Sequence, residues 1–431
     1  MQLATKKAPP ANIVLPHYAF ASVAFLVLTI LLFFSADSFV GHYFNPKLLT
    51  LTHIAVLGWG TMIIFGSLYQ LLPVILNSEL YSNLFARLTF YFWGLGLIIL
   101  AFSFWTFSIG FTIQLASILL FVAATLFLIN IIVTALKAEK LNIQSEFIVT
   151  AALWFWITVA IGILMAFNLT YAFLPKEHLF YLKLHAHVGV AGWFLLLIMG
   201  AGSKLLPMFL LSTSVNEKKL TTAYYLLNAG IIGFLVDSLF FNGISRAIIY
   251  LIIVLAGIIF FISFIYEAYK NRARKDLDIG MKQTFYAFII ISICMISSVL
   301  NNVTILKSEA FSQQVTLIFG VSIFIGFISL LIMGQTLKTL PFIVWLNKYQ
   351  KIAGKGKTPL PKDLYSEKIA NWQLRIFIVG FILLLVGILV STVIFIKIAS
   401  LLLIVTALLY NFNVLKMLLH KTSVQPFPKN N

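Results

Sequence analysis

One sequence pattern occurs three times in this chain at a constant interval of 134 residues. Each copy has two glycines and a later Leu-Pro step, and the first two copies also contain a histidine and a tryptophan. The copies comprise His53, Gly58, Trp59, Gly66, Leu72 and Pro73; His187, Gly192, Trp193, Gly200, Leu206 and Pro207; and Val321, Gly326, Phe327, Gly334, Leu340 and Pro341. A fixed interval of this length is typical of a repeated structural unit. We therefore predict three related repeats, approximately 1–134, 135–268 and 269–402, within a single domain covering residues 1–431 with a C-terminal tail at 420–431.

Long apolar segments place these repeats in a membrane. The chain is 61% hydrophobic and only 10% charged, whereas soluble domains carry about 25% charged residues. We predict an all-α polytopic membrane protein with about twelve transmembrane helices, four in each pseudo-equivalent repeat. The predicted spans are 17–36, 49–72, 84–104, 109–135, 147–173, 184–209, 221–240, 246–268, 283–303, 311–336, 372–394 and 398–419. The Leu-Pro step is expected to end or kink its helix, and residues 342–371 form the longest predicted loop, which is expected to be flexible.

The basic residues orient the chain and do not indicate nucleic-acid binding. The formal net charge is +17, but lysine and arginine concentrate in alternate loops, as at 270–275 and 348–368. This asymmetry follows the positive-inside rule and predicts that both termini face the cytoplasm. The lipid bilayer is thus the expected partner, and a bacterial inner membrane the expected location. The single cysteine, Cys294, excludes a disulfide within the chain and a C-x-x-C-H attachment for haem.

Histidine carries most of the chemical information. His53 and His187 occupy one repeat position near the outer ends of spans 2 and 6, and His185 lies two residues before His187. Imidazole inside a membrane span often marks a metal, a haem or a proton path. Residues two apart on a helix point about 200° from one another, so His185 is expected to face a different neighbour from His187, either span 10 or another adjacent helix.

Two imidazoles on opposite sides of a flat macrocycle would give bis-histidine b-type haem. We predict that His53 and His187 approach each other and hold this haem, with the gap lined by Gly58, Gly192, Trp59 and Trp193. Zinc or copper at His53, His185 and His187 is the alternative, with His42 or His178 from outer loops as further ligands. Among carboxylates, Asp237 is a candidate for proton delivery, and an interfacial position is the equally weighted alternative.

Taken together, the twelve spans in three groups of four resemble subunit I of the haem–copper oxidases and nitric oxide reductases. The stretch from Thr52 and His53 through Gly66, Tyr69 and Leu72-Pro73 is similar to the second span of that family, and this likeness implies a haem-ligating role for His53. The sequence departs from the family in lacking histidines on spans 7 and 10, where the family has its copper pair and a second haem-ligating pair. His-x-His is found instead on span 6.

Two functions follow from these patterns. The first is a divergent haem redox protein that takes electrons from quinol or a cytochrome, or reacts with nitric oxide or oxygen, with further membrane subunits as possible partners. As an enzyme it would be an oxidoreductase of the oxidase type. The second is a non-catalytic haem- or copper-binding protein for metal handling, assembly or nitrosative-stress response.

The loop charges generate a topology prediction. A cysteine at Gly354, in the loop predicted to be cytoplasmic, should resist an impermeant thiol reagent added outside intact cells and react after the membrane is permeabilised. Labelling from outside in intact cells would contradict this orientation.

Overall fold

The structure is a computed structural model that describes residues 9–139, 141–241, 246–302, 309–354 and 357–422. This part of the chain contains twelve helices long and apolar enough to cross a membrane, which confirms the predicted fold class. In chain order they are α1 (Ala11–Phe34), α2 (Pro46–Leu76), α3 (Asn83–Trp105), α4 (Phe111–Leu136), α5 (Ile143–Tyr171), α6 (His178–Leu210), α7 (Glu217–Phe240), α8 (Ala247–Lys270), α9 (Ile279–Leu300), α10 (Phe311–Tyr349), α11 (Glu367–Leu389) and α12 (Val393–Leu418).

Two predicted boundaries are wrong. Helix α10 continues beyond Pro341 to Tyr349, so much of the predicted loop 342–371 is helical. Its last turns bury Ile343 and Val344, which supplies the packing that sustains a helix beyond the membrane core. Helix α6 begins at His178, whereas the sequence predicts that this residue lies in an outer loop before span 6.

The Leu-Pro steps do not end their helices. Pro73, Pro207 and Pro341 all lie inside helices that continue for at least three further residues. Proline is tolerated in membrane helices because local adjustments and neighbouring groups satisfy the freed carbonyl. In the shortened loop, Gly354 has a φ of +87°, which a cysteine rarely adopts. The exposed neighbour Ala353 is therefore the better position for the topology label.

Each motif helix contains a π-helical segment at the same repeat position. These segments are Ile54–Thr61 in α2, Val188–Leu195 in α6 and Ser322–Ile328 in α10. The first two begin immediately after His53 and His187, and the third begins after Val321. π-Helical turns are rare and are often found at functional sites. The sequence repeat is thus also a repeat of local backbone geometry.

The helices form two compact units, Tyr69–Asp276 and Pro10–Leu68 with Leu277–Asn431. In the first unit α4 packs on α3 and α5, α6 packs on α5 and α8, and α7 packs on α8. In the second unit α12 packs on α11 and α1, α1 packs on the N-terminal part of α2, and α9 packs on α10. The last helix of the chain therefore returns to the first, where Asn411 Nδ2 donates to the Ser22 carbonyl at 2.8 Å.

The two motif tryptophans occupy equivalent aromatic clusters. Trp59 stacks on Phe25 of α1 at 4.6 Å and meets Tyr410 of α12 edge-on at 5.1 Å. Trp193 lies at 4.5 Å from Phe155 of α5 and meets Phe127 of α4 edge-on at 5.9 Å. In both clusters the two outer rings are also perpendicular. These offset and edge-to-face contacts fix the motif helix against its two neighbours.

The second glycine of each motif lies where the preceding helix crosses most closely. A methyl group on Gly66 would lie 2.7 Å from His17 Cβ of α1, and one on Gly200 would lie 2.6 Å from Phe147 Cβ of α5. A methyl group on Gly334 would lie 2.6 Å from the Gly280 carbonyl oxygen of α9. Small residues permit such backbone approach between helices in lipid. These three glycines therefore serve helix packing.

The crossing at Gly200 can be tested against a neighbouring glycine in the same helix. Gly200→Ala should separate α5 from α6 and destabilise the protein by about 1–3 kcal/mol, as overpacking does. Gly202→Ala is the matched control, because its methyl would lie 3.5 Å from the nearest atom, the tip of Phe261. It should stay within about 1 kcal/mol of wild type, since alanine also favours the helix. Thermal unfolding in detergent would measure both, and equal stabilities would contradict the packing role.

Candidate functional site: the histidine positions

His53 lies at the end of an α-helical segment, Pro46–His53, immediately before the π-helical segment of α2. Its Nδ1 is 2.7 Å from the Leu49 carbonyl oxygen, one turn earlier in the same helix. A carbonyl oxygen only accepts hydrogen bonds, so Nδ1 carries the proton. In the neutral imidazole the lone pair then resides on Nε2, the atom that points away from its own helix turn.

His187 repeats this arrangement in α6. Its Nδ1 is 2.7 Å from the Lys183 carbonyl oxygen, again one turn earlier. The π-helical segment begins at the next residue, Val188. The ring is exposed and lies 5.3 Å from the ring of Phe234 in α7. The same proton position leaves the lone pair of His187 on Nε2.

This shared geometry is typical of metal- or haem-ligating histidines. Such residues usually donate one ring N–H to a backbone carbonyl or carboxylate, which fixes the tautomer and increases the basicity of the ligating nitrogen. His53 and His187 both meet this condition at the same repeat position. Each could present Nε2 to an iron or another metal. The predicted approach of the two imidazoles stays a prediction.

His185 faces α5. Its Nδ1 is 2.9 Å from the Thr158 carbonyl oxygen, and its Cε1 would lie 3.1 Å from a methyl group placed on Gly162. His187 contacts α7. The two histidines thus point in different directions, as residues two apart on an α-helix must. Of the two predicted neighbours for His185, span 10 or another adjacent helix, the structure shows an adjacent helix, α5.

The remaining residues of the predicted site are largely engaged in packing. Gly58 is buried within the π-helical segment of α2. At Gly192 a methyl group would lie 2.7 Å from Trp154 Cβ, so this glycine admits the Trp154 side chain of α5. Trp59 and Trp193 belong to the aromatic clusters described above, and Trp59 Nε1 donates to Ser329 Oγ at 3.0 Å. Whether these four residues also line a cofactor stays a prediction.

The alternative metal ligands do not form a cluster. Among the residues that the structure describes, no three His, Cys, Asp or Glu side chains come together in a way that would hold a metal ion. His42 also has the opposite proton position, because its Nδ1 accepts from the Phe44 amide at 3.0 Å. In the neutral ring the proton of His42 is therefore on Nε2. The structure thus provides no ready-made three-ligand zinc or copper site within its described part.

Two further histidines have structural environments. His17 is buried in α1, with its Cβ against Gly66 and its Nδ1 at 2.8 Å from the Ile13 carbonyl oxygen. His420 follows α12, and its Nε2 lies 2.6 Å from the Tyr349 hydroxyl at the end of α10. Burial, and then the charges of Lys348 and Lys416, lower the pKa of the His420 imidazole below its usual value. A neutral ring can accept the Tyr349 proton, and this bond connects the ends of α10 and α12.

Asp237 takes part in an ion pair that the sequence analysis did not identify. Its two carboxylate oxygens accept from Nε of Arg246 at 3.1 Å and from a terminal guanidinium nitrogen at 2.5 Å. The same guanidinium donates to the Phe241 carbonyl oxygen at 3.2 Å. This two-point contact accounts for a buried carboxylate in α7. Charge pairing between residues nine apart across a helix end leaves no periodic signal in a sequence.

In comparisons with known proteins, the sequence matches no protein-family model and no curated protein. The function proposed below rests on the geometry of the histidines.

Removing the charge of Arg246 should destabilise the protein more than removing the charge of Asp237. Arg246→Gln leaves the Asp237 carboxylate, whose side chain is 8% exposed, without its countercharge and should destabilise the protein by on the order of 2 kcal/mol. Asp237→Asn should destabilise it less, because the Arg246 side chain is 51% exposed and reaches water. Thermal unfolding of both variants in detergent, with Lys275→Gln at an exposed position as the control, would measure this. A larger loss for Asp237→Asn would contradict the assigned role.

Proposed function

We propose that this protein is a membrane redox protein that binds b-type haem through His53 and His187, with an architecture related to oxidase subunit I. The observation that supports it is that two histidines at one repeat position each donate Nδ1 to the carbonyl one turn earlier. Both bonds direct the ligating lone pair onto Nε2. Both histidines also precede a π-helical segment at the same repeat position. His17 makes a similar bond but does not occupy this repeat position.

Two equivalent imidazoles suit haem better than a free metal ion. Haem iron already has four nitrogen ligands from its macrocycle and requires at most two axial ligands. Zinc generally requires at least three protein ligands, and the described residues provide no such group. Neutral imidazoles also carry no positive charge, so they need no carboxylate partner within the membrane. We therefore favour haem over zinc and keep copper as the alternative.

Bis-histidine ligation implies electron transfer as the primary activity. With both axial positions occupied, a bound haem would exchange electrons, and a gas such as nitric oxide or oxygen would bind only after one histidine dissociated. Acid–base chemistry has little support, because Asp237 is held by Arg246. A quinol or a cytochrome is the proposed electron donor, with additional membrane subunits as proposed partners.

The spectrum of the purified protein tests this proposal. Wild-type protein produced with ample haem should show a Soret band and, on reduction with dithionite, the sharp α and β bands of six-coordinate low-spin haem. His53→Ala and His187→Ala should each abolish this low-spin spectrum. His185→Ala should largely retain it, because His185 faces α5, and so should His42→Ala, whose ring has the opposite proton position.

Two further results would separate ligation from folding. His187→Gly should regain the low-spin spectrum when imidazole is added, because the free ligand replaces the missing side chain. The reduced His187→Ala protein should also bind carbon monoxide, whereas the wild type should bind it poorly. A well-folded wild-type protein without a Soret band would contradict the haem proposal. Metal analysis of the same sample would then test haem or copper handling as the alternative function.

A further inference from the structure

Three glutamines, of which two are fully buried and one is half-buried, lie where α9, α10 and α11 meet, in a region that the proposed haem function does not use. We refer to Gln283 of α9, Gln335 of α10 and Gln373 of α11 as the glutamine cluster. Gln283 and Gln373 have no exposed surface. The Oε1 atoms of all three are buried, and none has a hydrogen-bond partner among the residues that the structure describes. An unsatisfied amide oxygen inside a membrane protein is unfavourable.

The contacts of the amide nitrogens fix the orientation of these side chains. Gln283 Nε2 donates to the Ala370 carbonyl oxygen of α11 at 3.4 Å, so reversing the amide would place two acceptors together. Gln335 Nε2 donates at 2.7 Å to Thr284 Oγ1. The Thr284 hydroxyl uses its single proton on the Gly280 carbonyl oxygen, so it can only accept from Gln335. The oxygens of both glutamines are therefore the unsatisfied atoms.

The same contacts place all three side chains at this junction of α9, α10 and α11. Gln373 Nε2 is 3.0 Å from Sδ of Met333. A methyl group on Gly334, the next residue, would lie 3.0 Å from Gln283 Cβ. Gln335 is the next residue of α10, and its amide nitrogen turns to Thr284 of α9. Each glutamine thus either contacts or belongs to the short stretch of α10 from Met333 to Gln335.

A comparison of the repeats shows that helix packing at the second motif glycine does not require the Gln283 amide. The side chain that covers the second motif glycine is Gln283 at Gly334, but it is Phe147 at Gly200. The repeat with Phe147 makes the same close helix crossing with an apolar ring. A glutamine at this position therefore has a role other than filling space.

We propose that the glutamine cluster is a hydration site, in which bound water molecules donate hydrogen bonds to the Oε1 atoms of Gln283, Gln335 and Gln373. Water is the small neutral donor that buried polar groups bind when protein donors are absent. A cation is disfavoured because Asp278, the carboxylate at this end of α9, is already paired with Lys338 at 2.5 Å. This ion pair lies at the N-terminal end of α9, one to two turns from Gln283 and Thr284, and provides a polar approach for water.

The protein contains a matched pair of reporters for this water. Met333 and Met199 precede the second glycine of their motifs and are both fully buried. Only Met333 contacts a glutamine amide. Hydroxyl radicals produced by ionising radiation arise from water and oxidise nearby methionine sulfur to the sulfoxide. In wild-type protein in lipid nanodiscs, Met333 should be oxidised several-fold faster than Met199, as measured by mass spectrometry of the peptides.

A double variant tests whether the radicals that oxidise Met333 come from water bound at the glutamine cluster. Replacing both fully buried amides, in Gln283→Leu with Gln373→Leu, should slow Met333 oxidation to the rate of Met199. The haem spectrum should not change, so this result is independent of the proposed function. Equal rates for Met333 and Met199 in the wild type would overturn the hydration site. Fast Met333 oxidation that persists in the double variant would overturn it as well. If the variant does not fold, the wild-type ratio still decides the question.

Discussion

The close contact between the second motif glycine and the preceding helix determines how each repeat is built. At Gly66, Gly200 and Gly334 there is no room for a single methyl group. In lipid, helices gain little from burying apolar surface against each other, so close van der Waals approach becomes the main attraction. The fixed 134-residue interval therefore reflects a requirement for the same helix crossing three times.

The π-helical segments precede this contact in each motif helix. They distinguish features common to all three repeats from the histidines, which occur at this position in only two. All three motif helices have such a segment, including α10, where Val321 replaces the histidine. The widened helix is therefore a property of the repeat and does not depend on a ligand. His53 and His187 are additions to this backbone, placed where the change from α to π geometry reorients the helix surface. His17 of α1 makes the same Nδ1 hydrogen bond to the carbonyl one turn earlier, so the shared repeat position of His53 and His187 is the feature that distinguishes them.

The sequence was sufficient to predict the features that depend on periodicity and composition. The twelve spans, the repeat interval and the divergence of His185 from His187 all follow from regular spacing. The length of α10 could not be predicted, because Pro341 normally disfavours a continuing helix and only tertiary packing of Ile343 and Val344 extends it. The aromatic clusters around Trp59 and Trp193 involve helices distant in the chain. Lone glutamines within apolar spans also gave no signal until their neighbours were known.

A comparison of equivalent positions in the three repeats shows which side chains the helix packing requires and which it does not. Where one repeat makes the same crossing with an apolar side chain, the crossing itself does not require a polar side chain in another repeat. Phe147 and Gln283 provide this comparison at the second glycine, and Val321 provides it for His53 and His187. By this criterion the first two repeats have acquired histidines, and the third has acquired a group of amides. The polar side chains thus differ between repeats, while all three repeats have the glycine contacts that hold the helices together.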